Sequence, residues 1–274
     1  MSETSSKTLP DYDKPPVIEV VSGIMFQPIK ALAGPYLGVL WEKFKPDYQQ
    51  LKEVAPLIPV IERFDKAPPE EAFPFGDVFS LSRTWFETSD GNRLIQVQRD
   101  RFLHNWKKAK DTDEYPHYEY VIGNFRECLE KFELFLQENK IESIQPIQYE
   151  LTYINHIPQG EGWTTFSDLG NVFPDFSWRP AKERFLPDPE AINWHTTFVM
   201  PERSGRLHGS IRLGKRRTDG RPILLLELTA RGIGSDKSRS AMWTWFDMAH
   251  EWIVRGFTDV TGDGLHKTVW RRKR

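Results

Sequence analysis

Three glutamates, Glu19, Glu150 and Glu227, occupy polar positions in alternating apolar runs, Val17–Phe26, Gln148–Ile157 and Ile223–Arg231. In an extended strand successive side chains point to opposite sides. Each carboxylate therefore falls on the side opposite its apolar neighbours. Carboxylates on neighbouring strands suit acid–base work or a divalent cation. The same alternation gives Glu150 the company of Thr152 and His156, and gives Glu227 that of Thr229 and Arg231. On Arg206–Leu213 it groups His208, Ser210 and Arg212. On Arg93–Trp106 it groups Gln96, Gln98, Asp100 and His104, interrupted by Phe102. Gln, Thr and Arg donate hydrogen bonds, and carboxylates orient Arg or accept from a ligand. The expected recognition surface is thus Gln96, Gln98, Glu150, Thr152, His156, His208, Arg212, Glu227, Thr229 and Arg231.

Signatures of catalysis or of cofactor binding are missing. The chain has no G-x-x-x-x-G-K, G-x-G-x-x-G, G-x-S-x-G or H-E-x-x-H pattern. No Cys/His group has zinc spacing, so no cofactor and no resident metal is expected. His250 precedes Glu251 without a second His four residues on, which makes it a helix-surface or satisfied histidine. Cys128, the single cysteine, lies beside an apolar helical stripe and reads as packing. Asn155-His156 ends a strand and leads into the loop Pro158–Gly162, a place where function often sits.

Charge is nearly balanced over the 274 residues, 37 basic against 39 acidic, with a pI near 6.4. That argues against a globally basic nucleic-acid binder. Locally, Arg203 to Arg221 holds seven basic residues and one acid, and Arg271–Arg274 is basic throughout. Converging, these would offer phosphate contacts. The polar start of the chain lacks the apolar core of a signal peptide, and no apolar run approaches the ~18 residues of a membrane span. A cytoplasmic protein without membrane contact is the expectation.

The elements that must position these residues follow from periodicity and punctuation. Residues 1–14 read as a disordered leader, residues 15–142 as a first half and residues 143–274 as a second. Leu37, Leu40, Phe44, Tyr48 and Leu51 fall at helical spacing, followed by a Pro-rich connector from Pro56 to Gly76. Val78–Thr88 and Arg93–Trp106 flank Ser89-Asp90-Gly91-Asn92, a hairpin turn. Tyr118, Ile122, Phe125, Leu129, Phe132 and Leu136 mark one long helix, and Met242, Trp245, Phe246, Ala249, Ile253 and Phe257 another. Strands are expected at Trp194–Pro201, Arg206–Leu213 and Ile223–Arg231, with turns at Ser204-Gly205 and Thr218-Asp219-Gly220. The order of elements suggests an α+β fold: a duplicated β-α-β-β-β-α unit packed as one globular body. Its curved antiparallel sheet carries the long helices on one face, in the manner of the TATA-binding-protein and helix-grip folds.

The segments Pro15-Pro16-x-x-Glu19-Val20, Arg93–Trp106, Glu150–Ile157, His250-Glu251-Trp252 and His266-Lys267 resemble a sporadically distributed bacterial family of uncharacterised proteins, over nearly the whole chain. That family has no established reaction, so the resemblance implies no catalytic residue. Its patchy distribution is like that of genes on mobile or defence islands. Three functions follow as expectations. The first is a non-enzymatic binding protein that uses the polar sheet face for a protein partner or a small ligand. The second is a metal-dependent phosphoester- or nucleic-acid-processing enzyme built on Glu19, Glu150 and Glu227. The third is a nucleic-acid binder acting through Arg203–Arg221 and the C-terminal tail.

Overall fold

The structure, a computed structural model, describes residues 8–32, 34–64 and 83–273. One nine-stranded antiparallel sheet organises them. Its strands are β1 (Val17–Phe26), β2 (Gln50–Val54), β3 (Arg83–Glu87), β4 (Arg93–Gln98), β5 (Arg101–Lys107), β6 (Pro146–Pro158), β7 (Asn193–Val199), β8 (Gly205–Lys215) and β9 (Pro222–Gly232). They lie in the order β2-β3-β4-β5-β1-β6-β9-β8-β7, and the sheet stays open, with β2 and β7 at its edges. Outward from the central β1–β6 pair, one side runs β5, β4, β3 and the other β9, β8, β7. The first side adds β2.

The helices cover a single face. They are α1 (Gly34–Phe44), α2 (His117–Glu138), α3 (Leu169–Val172), α4 (Arg239–Val260) and α5 (Asp263–Thr268). α2 packs on β1 and β5, and α4 on β6, β8 and β9. All six stripe residues expected on α2 and all six on α4 are buried. Phe102 of β5 stacks on Phe132 of α2 with ring centroids 4.8 Å apart. Burying each such side chain contributes about 1.5–3 kcal/mol, which pins the helices to this side. The Ser238 hydroxyl accepts from the Ala241 amide and caps α4.

Turn chemistry decides where strands end. Gly91 takes φ +77°, which a Cβ would oppose, and Asp90 accepts from the Thr88 hydroxyl and the Asn92 amide beside it. The expected turn at Asp219-Gly220 likewise joins β8 to β9. Gly205 serves a different purpose. A Cβ there would stand 2.4 Å from the Arg231 carbonyl oxygen, so this glycine permits close approach of β8 to β9.

Four expectations need correction. The helical pattern drawn through Leu51 stops at Phe44, because Pro46 has no amide to continue it. Leu51 lies exposed on β2. The run Arg93–Trp106 is two strands, β4 and β5, with a two-residue turn at Arg99-Asp100 that places Gln98 opposite Arg101. The turn reverses the alternation, so Gln96 and Gln98 point away from the helices while His104 points toward them. The first half accordingly reads β-α-β-β-β-β-α. Finally, residues 8–14 of the leader are ordered. Tyr12 is buried, the Lys14 and Asp13 amides donate to the Trp270 and Arg271 carbonyls, and the Lys273 amide donates to Asp11. Residues 1–7, and the part of the run Val78–Thr88 before Arg83, lie outside the described residues.

Candidate functional site

The face turned away from the helices carries the polar residues, as the alternation on β6, β8 and β9 requires. Register brings most of the expected surface together. Glu150 stands opposite Arg231, Thr152 opposite Thr229, and Thr229 opposite His208. The Arg231 Nε donates to Glu150 at 2.7 Å, the two threonine hydroxyls are 2.9 Å apart, and Arg212 donates to Glu227 at 3.1 Å. Glu150, Thr152, Glu227, Thr229, Arg231, His208 and Arg212 therefore form one cross-strand patch. His156 sits at its end, opposite Leu225, and burial holds its pKa below the usual histidine value.

Gln96 and Gln98 stand apart from this patch. They lie on β4, separated from β6 by β5 and β1, about 14 Å away at ordinary strand spacing. Gln96 is buried in a relay of its own. Its Oε1 accepts from Arg83 (2.6 Å) and Trp85 (3.1 Å), its Nε2 donates to Asn105, and Asn105 donates to Glu19 at 2.6 Å. Burial raises the Glu19 carboxyl above its ordinary pKa, against the lowering by Asn105 and Lys107. Nearby, Glu87 takes Lys107 and Lys52 at 2.6 and 2.7 Å. Burial works to raise its pKa, but the two lysines outweigh it and the net shift is downward.

The polar face is not free, contrary to the simple alternation picture. Leu57–Phe64, part of the expected Pro-rich connector, is laid across it as a strap. The Leu57 amide donates to the Gln98 Oε1 (2.9 Å), and the Gln98 Nε2 donates back to the Leu57 carbonyl (3.1 Å). The Glu62 amide donates to the Gln148 Oε1, and the Gln148 Nε2 donates to the Val60 carbonyl, both at 2.8 Å. The Glu62 carboxylate, 3% exposed, accepts from Arg206 at 2.7 Å and from His208 Nε2 at 2.6 Å. Arg206 also donates to the Arg63 carbonyl and lies 4.2 Å from the centre of the Phe64 ring. Seven extended steps reach about 23 Å, which matches the ~24 Å across the five strand spacings from β4 to β8. Burial raises the pKa of Glu62, but the hydrogen bonds and charges of His208 and Arg206 more than reverse it, so the carboxyl titrates below its usual range.

Periodicity could not reveal Glu62, Gln148 and Arg206 as partners. The sequence signal for the strap is the Pro56–Pro59 spacing, which disfavours helix and leaves the chain extended.

The other two readings gain less. Glu19, Glu150 and Glu227 each hold a separate partner, and the described residues contain no group of three His, Cys, Asp or Glu able to hold a metal ion. Among the seven cations of Arg203–Arg221, Arg206 and Arg212 pair with Glu62 and Glu227, and Arg216 pairs with Asp219. Arg221 donates to the Gln159 carbonyl and Arg203 lies over Phe64. In the tail, Arg271 and Lys273 face Asp13. Cys128 is buried against the Tyr48 hydroxyl, and burial pushes its thiol up to about 11. His250 departs from expectation. It is half-buried, stacked face to face on Tyr118 with centroids 3.9 Å apart. No helix among the described residues is long and apolar enough to cross a membrane. Comparison of the chain with protein-family models, curated proteins and solved structures finds no match.

Proposed function

We propose that this chain is a non-enzymatic binding protein whose polar sheet face holds an extended polypeptide, with Leu57–Phe64 as its resident occupant. One observation carries the reading. Gln98 and Gln148 each hydrogen-bond both an amide and a carbonyl of the strap's main chain. Paired main-chain contacts of this kind hold a strand of any sequence, as a sheet edge does. Selectivity then comes from Arg206 and His208, which take a carboxylate, and from the Arg206 guanidinium, which takes an aromatic ring two residues on. The partner chemistry is an extended segment with an acidic residue followed at i+2 by an aromatic one. The mirrored strand order on the two sides of β1–β6, each followed by a long helix, supports descent from a duplicated β-α-β-β-β-α unit with a TATA-binding-protein-like or helix-grip-like shape.

The test supplies the strap in trans. A labelled peptide with the sequence of residues 56–64 is titrated by fluorescence anisotropy into the full chain and into its Glu62→Ala variant, whose own strap is loosened. Saturable binding tighter than about 1 mM, the effective concentration of a short tether, is expected for the variant and weaker binding for the parent. A peptide lacking the glutamate should fail, as should a chain carrying Glu62→Ala with Arg206→Ala. Equal binding with and without the peptide glutamate, or none to the loosened chain, overturns the proposal.

A further inference from the structure

On the helix side of the sheet a cavity of about 410 Å³ opens between the N-terminal segment, the start of α2, β6 and α4. It shares no residue with the strap or with the polar face. Its walls are mostly apolar and include the rings of Tyr12, Tyr115, Tyr118, Tyr153 and Phe257. Apolar walls with a few convergent polar groups are the usual make-up of a small-molecule site. Three polar groups here have unused hydrogen-bonding capacity. Among the described residues neither ring nitrogen of His250 has a hydrogen-bond partner, although the ring is fixed by its stack on Tyr118. Asn155 is buried and donates its Nδ2 to the Leu226 carbonyl, which leaves its Oδ1 as an acceptor. The Tyr115 and Tyr153 hydroxyls are 2.8 Å apart, and that bond uses the hydrogen of only one of them. Burial also keeps His250 neutral down to a pKa of about 4, so the ring offers one donor and one acceptor.

Charge narrows the ligand further. Among the described residues the lining contains no Lys or Arg; it includes Asp11 and Glu119, of which Glu119 is exposed and close enough to act on Tyr115, Tyr118 and Tyr153. Arg272 acts on Tyr12 at one end, but Asp259 and Asp263 act there as well, so a carboxylate or phosphate would give up its water without a net opposite charge to receive it. A cation gains from the ring faces and from Glu119. We infer that this cavity is a second binding site, for a small aromatic amine whose ring lies among the tyrosines and whose ammonium sits toward Glu119.

One ring system carrying three charges tests this on the full chain by isothermal titration calorimetry. Tryptamine, indole and indole-3-acetate serve as probes. Tryptamine should bind tightest, indole about tenfold or more weaker, and indole-3-acetate not measurably. His250→Phe, which keeps the stack and removes both nitrogens, should weaken tryptamine about tenfold. Glu119→Gln, at an exposed position, should bring tryptamine toward indole and leave indole unchanged. Heat from none of the three probes overturns the inference. So does indole-3-acetate binding as tightly as tryptamine, or affinities untouched by both substitutions.

Discussion

Glu62→Ala is the sharpest perturbation of the strap. It removes a carboxylate that is 3% exposed and accepts from Arg206 at 2.7 Å and His208 at 2.6 Å. Each hydrogen bond to a charged group contributes about 1.5–3 kcal/mol, and stripping the partner from a buried cation costs about 3–5 kcal/mol in all. Arg206 regains water once the strap lifts, so the lower end applies. At about 1.4 kcal/mol per factor of ten, undocking becomes roughly a hundredfold more frequent. The Leu57 amide reports on it, because its hydrogen bond to Gln98 lies at the far end of the strap and survives the substitution unless the segment lifts as a unit. Hydrogen exchange at Leu57 should accelerate by that factor while the β6 and β9 amides keep their protection. Adding Arg206→Ala should cost little more, since the cation left behind is the source of most of the loss. Unchanged Leu57 exchange, or fully additive effects of the two substitutions, would refute the reasoning. The pH dependence has a definite sign. The docked carboxyl titrates below its ordinary range, so docking is at full strength above the usual glutamate pKa near ~4.3. It is lost as pH falls through the lower, docked value.

Burial lowers the pKa of His104 to about 3, with help from Arg93, and that of His250 to about 4. The unfolded chain therefore binds more protons than the folded one below about 6.5, and stability should fall from there toward pH 4 by about 1.4 kcal/mol per pH unit for each histidine. His250→Phe should flatten that slope in urea melts run at several pH values. Cys128, with its thiol near 11 and its side chain buried, should react with a thiol reagent at the rate of global unfolding. Labelling of the native protein at a free-cysteine rate would contradict its placement. Gly232→Ala would put a Cβ 2.1 Å from the Ser204 carbonyl oxygen. Because backbone blocks it, the melting temperature should drop by several degrees, an effect of about 2 kcal/mol or more. An unchanged melt would mean that β8 and β9 approach less closely there.

Local pattern carried much of the architecture. The stripes on α2 and α4 and the alternation on β6, β8 and β9 named the buried faces correctly, because a side chain's direction within one element depends only on helix or strand geometry. The same alternation placed Glu150, Thr152, Thr229, Arg231, His208 and Glu227 on one face. Antiparallel pairing of neighbouring strands then sufficed to make them a patch. Parity fails wherever an unmarked turn intervenes. Arg99-Asp100 has no glycine or proline to announce it, so unbroken alternation puts His104 beside Gln96 and Gln98, whereas pairing puts it opposite Ile95 on the helix side.

Alternation also cannot say what satisfies a polar side chain. Gln98 and His208 read as facing water, and they do face away from the helices, yet hydrogen-bond partners from their own chain, Leu57 and Glu62, take water's place. Glu62 meets its partners across 144 and 146 residues, and the tyrosine-lined cavity is assembled from the N-terminal segment, two helices and the sheet. What the sequence determined by itself is the sidedness of each element, since that is set by backbone geometry over a few residues. Only the tertiary structure decided which polar groups meet, since that depends on where distant segments come to rest.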